Sequence, residues 1–192
     1  MRCVVFDLDG TLADTSADLL AAANACLPRA CLGPEDALTA FHGGRAMLRL
    51  GFARLEMDWS EADVDAAYPR LLEAYGAAIA VHTRLYPGAM EAVEELRRAG
   101  IAVSICTNKP EGLAEGLLRE LGVRGAFGAL VGADTLPVRK PDAAPYLAAV
   151  ERAGWGTTVE TDPEWNEFDH VQMLEVHGPP ETAEAELTRQ DF

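Results

Sequence analysis

The sequence has no apolar run longer than a strand, so none of its 192 residues reads as a membrane-spanning helix. It lacks a charged-then-apolar leader and opens directly on Met1-Arg2-Cys3-Val4-Val5-Phe6, so no signal peptide is expected and the cytoplasm is the default compartment. Positive charge is scarce: 16 Lys and Arg face 31 Asp and Glu, the formal net charge is -15, and no Lys/Arg cluster interrupts it. Such a field repels nucleic-acid phosphates, so neither nucleic acid nor a membrane is an expected partner, and each well-placed Lys or Arg becomes informative. The four cysteines, Cys3, Cys26, Cys31 and Cys106, form no CxxC pair and have no His at metal-ligand spacing, so neither a zinc site nor a redox dithiol is expected. Cys3 and Cys106 lie in apolar runs and read as small hydrophobes.

With 49% hydrophobic and 24% charged residues, the composition is that of a chain with a packed core, and its length suits one catalytic domain with a smaller insertion. Residues 3 to 6 are a continuous apolar run stopped by Asp-Leu-Asp-Gly, as in a strand buried on both faces of a parallel sheet. Helical spacing follows over Ala17 to Leu27, with Ser16 as the expected N-cap, and over Ala46 to Leu55. Ser60 and Glu61 introduce a further helix along Val64, Tyr68, Leu71, Leu72, Tyr75 and Ile79. Residues 15 to 83 therefore read as all-helical. From Pro87 the pattern becomes helix (Met90, Val93, Leu96), Gly100 stop, strand (Ile101 to Cys106), helix (Leu113 to Leu121), strand (Ala129 to Val131) and helix (Pro145 to Ala153).

Chemistry concentrates where these strands end. Phe6-Asp7-Leu8-Asp9-Gly10-Thr11 puts two carboxylates two residues apart past the first strand, at the edge where open α/β sheets bind ligands. Carboxylates this close need a shared proton or a hard cation such as Mg²⁺ between them. With the metal, Asp7 stays ionised and attacks phosphorus while Asp9 works as acid and base. An ordinary acidic turn is the alternative for this segment alone. After the second strand, Thr107-Asn108-Lys109-Pro110 offers a hydroxyl and backbone amides as a phosphate cradle, or else a helix cap. After the third, Lys140 in the Pro-flanked Thr135-to-Asp142 loop is placed to offset charge on a phosphoryl group, or is a solvated loop lysine.

FDLDGTLADT, CTNKP and DTLPVRKPD, in that order around a helical insertion, resemble the first three motifs of the haloacid dehalogenase superfamily, and within it the phosphoglycolate phosphatase group. The resemblance covers residues 1 to about 153. It implies a Rossmann-like parallel sheet, residues 1 to 14 and 84 to 153, with an inserted helical cap at residues 15 to 83. It further implies Asp7 as nucleophile, Asp9 as acid/base, Asp7 and Asp9 as Mg²⁺ ligands, and Thr107, Asn108 and Lys140 as phosphate contacts. His42-Gly43-Gly44-Arg45 is similar to the family's substrate-reading loop, with Arg45 either directed to a substrate carboxylate or an exposed loop arginine. The implied reaction is hydrolysis of a small phosphate monoester, 2-phosphoglycolate first among them.

The family's fourth motif, a strand ending in Gly-Asp that completes the Mg²⁺ site, is missing: the chain contains no Gly-Asp dipeptide. Beyond Gly154 the composition shifts, with ten acids and one base in residues 155 to 192. The C-terminal part of the core thus reads as truncated or replaced by an acidic tail, foreign or frame-shifted. Residues 171 to 176 are the expected substitute strand beside the first, with His177-Gly178-Pro179-Pro180 in place of the metal-binding loop. Weakened metal binding is the expected consequence. The alternative is a non-catalytic phosphate-binding or folding-impaired relative.

Overall fold

In the first strand, β1 (Arg2–Phe6), side chains alternate between the two faces of a sheet. Cys3 and Val5 join Cys106, Val131, Tyr146, Ala149 and Val150 in one buried cluster, while Val4 and Phe6 are buried on the opposite face. The computed structural model describes residues 2–154 and, as backbone only, strands at 158–159, 171–177 and 184–188. The chain divides into two compact units: the residues up to Ala13 with those from Leu85 onward, and Asp14–Arg84. The chain passes from one to the other through β2 (Ala13–Asp14) and β3 (Arg84–Leu85), which pair as a two-stranded ladder.

The first unit is the α/β one. β1 pairs in parallel with β4 (Ala102–Cys106), Cys3 opposite Ala102 and Phe6 opposite Ile105, and β4 pairs in parallel with β5 (Ala129–Val131). Helices α5 (Ala89–Arg98), α6 (Glu111–Glu120) and α7 (Ala143–Arg152) accompany these strands. Tyr146, Ala149 and Val150 fall on one stripe of α7 and are buried. Asp142 caps that helix by accepting from the Ala144 amide at 2.8 Å.

On its other side β1 is flanked by β7 (Val171–His177), the place expected for residues 171 to 176. The pairing is antiparallel, with Phe6 opposite Val171 and Arg2 opposite Glu175. β7 therefore runs away from the Asp7 end of β1, which puts His177 toward the opposite end of the strand; residues 178 to 180 lie outside the described residues. Strands β8 (Glu184–Thr188), antiparallel to β7, and β6 (Thr158–Val159), parallel to β8, complete the described sheet order β5-β4-β1-β7-β8-β6. Among the described residues no helix is long and apolar enough to cross a membrane.

In the second unit, α1 (Ser16–Cys26) packs with α2 (Ala37–Phe41), α3 (Gly44–Arg54) and α4 (Glu61–Ala77). Ser16 is not the N-cap expected from sequence. Thr15 holds that position, and the Asp14 carboxylate takes up the first-turn donors, accepting from the Ser16 amide at 3.0 Å and its hydroxyl at 2.6 Å. Ser60 does introduce α4, through a capping box with Asp63. Within this unit the buried Asp18 carboxylate accepts from the His82 amide at 3.0 Å and from the Thr83 amide and hydroxyl at 2.8 and 2.7 Å. Asp36 accepts two bonds from the Arg54 guanidinium, at 2.6 and 2.7 Å, and one from the Gly33 amide at 2.9 Å.

Replacing Asp18 with Ala leaves the donors of His82 and Thr83 without their acceptor. The expected cost is about 3 kcal/mol, read from urea unfolding, with faster amide exchange at both residues; Asp18→Asn, which keeps one acceptor oxygen, costs less. The Arg54 contact holds the Asp36 carboxyl below its ordinary range. Its contribution is therefore complete above the unfolded value of about 3.9 and is lost as pH falls through the depressed folded value. Arg54→Met is expected to lower stability at neutral pH and to flatten this part of the acid limb in a pH series of unfolding midpoints.

Candidate active site

The site is built where β1 and β4 end, beside the loop that follows β5. Past Phe6 the chain folds tightly around Leu8, whose carbonyl accepts from the amides of Leu12 at 3.0 Å and Ala13 at 3.1 Å. Gly10 closes the turn at a φ of 77°, a conformation that costs glycine little, and its amide donates to the Ala13 carbonyl at 2.9 Å. This turn carries Asp7 on one side of Leu8 and Asp9 on the other.

Each carboxylate has a lysine. Lys140 Nζ forms an ion pair with Asp7 Oδ2 at 2.9 Å, while Asp7 Oδ1 accepts from the Leu8 amide at 2.7 Å. Lys109 Nζ donates to Asp9 Oδ1 at 2.7 Å. The lysines are the more buried partners, with side chains 10% and 4% exposed against 21% for Asp7 and 16% for Asp9. The two ammoniums thus balance the two carboxylates, and removing either would leave a poorly hydrated charge uncompensated. Lys140 Nζ also lies 5.9 Å from the centre of the Tyr146 ring.

The strand-end loops are fastened to one another. The buried Thr107 donates its amide to Val131 O at 2.9 Å, and its Oγ1 accepts from the Lys109 amide at 3.1 Å. Asn108 Nδ2 donates to the Lys140 carbonyl at 3.2 Å, tying the second loop to the third. After β5, Gly132 sits so close to α6 that a Cβ there would meet the Glu111 amide nitrogen at 2.4 Å. The Glu111 amide donates to Asp134 at 2.7 Å, and the Thr135 hydroxyl donates to the Glu111 carboxylate. These bonds anchor the loop that delivers Lys140.

Asp7, Asp9, Thr107, Asn108 and Lys140 are thus linked by one set of contacts. Thr107 does not cap α6, whose N-cap is Pro110. Arg45 belongs to the other unit, where it pairs with Asp65 and lies 4.7 Å above the Tyr68 ring. Lys109 was not singled out from the sequence, although it follows Thr107-Asn108 directly. The available signal was a lysine held between a strand end and a proline in a chain with few cations. Among the described residues no third His, Cys, Asp or Glu joins the two aspartates as a metal-binding group. Asp7 and Asp9 are nonetheless hard, partly exposed oxygen donors, and they suit Mg²⁺, which keeps several waters and commonly takes one or two carboxylates beside substrate phosphate.

Burial pushes the Cys106 thiol up to about 12, with Asp7 adding to the rise and Lys140 opposing it. Cys106 therefore stays protonated and takes no part as a nucleophile. At pH 8, iodoacetamide is expected to label Cys31 in the folded protein and to reach Cys106 only after unfolding, as read by peptide mass spectrometry.

Residues 1–163 match the sequence family described as haloacid dehalogenase-like hydrolase. The chain is 43% identical over 154 residues to a phosphoglycolate phosphatase of Agrobacterium fabrum, covering 78% of this chain but 66% of that protein, just under two thirds of its length. It is 39% identical over 165 residues to a phosphoglycolate phosphatase of Xanthomonas campestris, covering 82% and 71%. A crystal structure of a predicted phosphoglycolate phosphatase from Haemophilus somnus superposes with a TM-score of 0.68 at 24% identity, over 83% of this chain and 76% of that one. CbbY from Rhodobacter sphaeroides, solved in complex with phosphate, superposes at 0.60 with 22% identity, over 78% and 71%. These two structural likenesses concern the fold.

Proposed function

The chain belongs to the haloacid dehalogenase-like hydrolases, and on that premise we propose that it hydrolyses a small phosphate monoester, 2-phosphoglycolate first, through an aspartyl-phosphate on Asp7. The observation that carries this reading is the juxtaposition of Asp7 with Lys140 at 2.9 Å, beside an Asp9 that is itself held by a lysine. The names of the curated relatives support the choice of substrate.

In the first step an Asp7 carboxylate oxygen attacks phosphorus and the bond to the ester oxygen breaks. Asp9, in its acid form, delivers a proton to the departing alkoxide. The Lys140 ammonium offsets the charge that gathers on the phosphoryl oxygens, and the Thr107 hydroxyl, which accepts from the Lys109 amide, keeps its own proton to donate to one of them. In the second step Asp9, now a carboxylate, takes a proton from water as the water attacks the phosphorus of the aspartyl-phosphate. Inorganic phosphate leaves and Asp7 is regenerated. Mg²⁺ held by Asp7 and Asp9 would supply further charge neutralisation to the phosphate dianion.

The test is phosphate release from 2-phosphoglycolate and from 4-nitrophenyl phosphate over a Mg²⁺ titration. Turnover saturating at unusually high Mg²⁺ is expected, as two protein carboxylates would hold the ion loosely, and Asp7→Asn should lower it by about 10⁴-fold or more. Folded protein that binds phosphate but releases none from either substrate at any Mg²⁺ concentration would instead favour a non-catalytic phosphate-binding relative.

A further inference from the structure

We infer that Lys109 is the positioning residue of Asp9: it holds one carboxylate oxygen so that the proton Asp9 gives and takes is presented in a fixed direction. The inference rests on the phosphatase reading above and adds a residue to it.

The backbone of Lys109 is pinned on both sides. Its amide donates to Thr107 Oγ1 at 3.1 Å, its carbonyl accepts from the Ala133 amide at 3.0 Å, and Pro110 follows with its ring-restricted φ of -52°. The side chain is 4% exposed and ends 2.7 Å from Asp9 Oδ1. A buried ammonium on so constrained a stem has little freedom to seek another anion. The turn around Leu8 sets the backbone of Asp9, and the ion pair with Lys109 fixes the position of one of its carboxylate oxygens.

The two lysines thereby divide the work. Lys140 pairs with the nucleophile and would meet the charge developing at phosphorus; Lys109 pairs with the acid/base. Proton delivery requires the carboxyl within hydrogen-bond reach of the leaving oxygen, and small misplacements are expensive in rate. The role is thus distinct from that of a phosphate contact, and leaving groups of different need for a proton can separate the two.

The experiment compares kcat/KM for 2-phosphoglycolate, whose alkoxide must be protonated, with that for 4-nitrophenyl phosphate, whose phenolate leaves readily without a proton. Lys109→Met is expected to lower the first by about 100-fold and the second by less than about 10-fold, while the Michaelis constant of the glycolate ester changes little. Lys109→Arg should recover part of the loss. In an Asp9→Asn background, Lys109→Met should produce no further separation of the two substrates, because Lys109 acts through Asp9. Lys109→Gln, which keeps a donor without the charge, provides the same comparison if the Met variant does not fold, as judged by its urea unfolding curve. Equal losses on both substrates, losses that add to those of Asp9→Asn, or a loss on the glycolate ester that lies wholly in its Michaelis constant and not in kcat would overturn the role while leaving the phosphatase reading intact. Failure of the unsubstituted protein to turn over either substrate would defeat that reading and this role with it.

Discussion

The pairing of Asp7 with Lys140 and of Asp9 with Lys109 is the constraint on which the site depends. Two carboxylates separated by one residue repel each other, and in a chain carrying a net charge of -15 the surrounding field does nothing to relieve them. Two largely buried ammoniums, delivered by different loops, resolve the conflict locally. The result is a charge-balanced cluster into which a phosphate dianion would bring the next negative charges, which is why Mg²⁺ belongs naturally to the proposed chemistry.

Holding four charges in register demands rigid loops, and the fold supplies them at strand ends. The Leu8 carbonyl and the positive φ of Gly10 shape the turn that carries both aspartates. The missing side chain of Gly132 lets the third loop seat against the first turn of α6, and Asn108 links that loop to the second. Beneath them, β1 lies between β4 and β7 with both faces buried, so the strand bearing the nucleophile is supported on every side.

The second unit meets the same excess of acid differently, by turning polar side chains onto its own backbone. Asp18 satisfies the amides of residues 82 and 83, and Asn24 accepts from the amides of Cys31 and Leu32 at 2.9 and 3.0 Å. Asp36 is shared between Gly33 and Arg54. Connections between helices, where backbone groups lack partners, are thereby closed by side chains, some near in sequence and one more than 60 residues away.

Local rules made much of this legible in advance. A four-residue apolar run ending in Asp-Leu-Asp-Gly specifies a buried strand and its loop, and the periodicity along Val64, Leu71 and Tyr75 specifies a helix, because both depend on neighbours a few residues away. The five-residue α2 was too short to show a period, and the cap of α1 shifted by one residue because Asp14, not Ser16, accepts the first-turn donors. The direction of β7 was not legible either, since an apolar strand pattern reads alike forwards and backwards and pairing with β1 alone selects one sense. The order of Asp7, Thr107 and Lys140 along the chain identified the family and the residues to inspect. That Lys109 closes on Asp9, 100 residues away, was decided only by the tertiary structure: sequence displays residue types and short spacings, whereas an ion pair between loops exists only once the sheet has set those loops side by side.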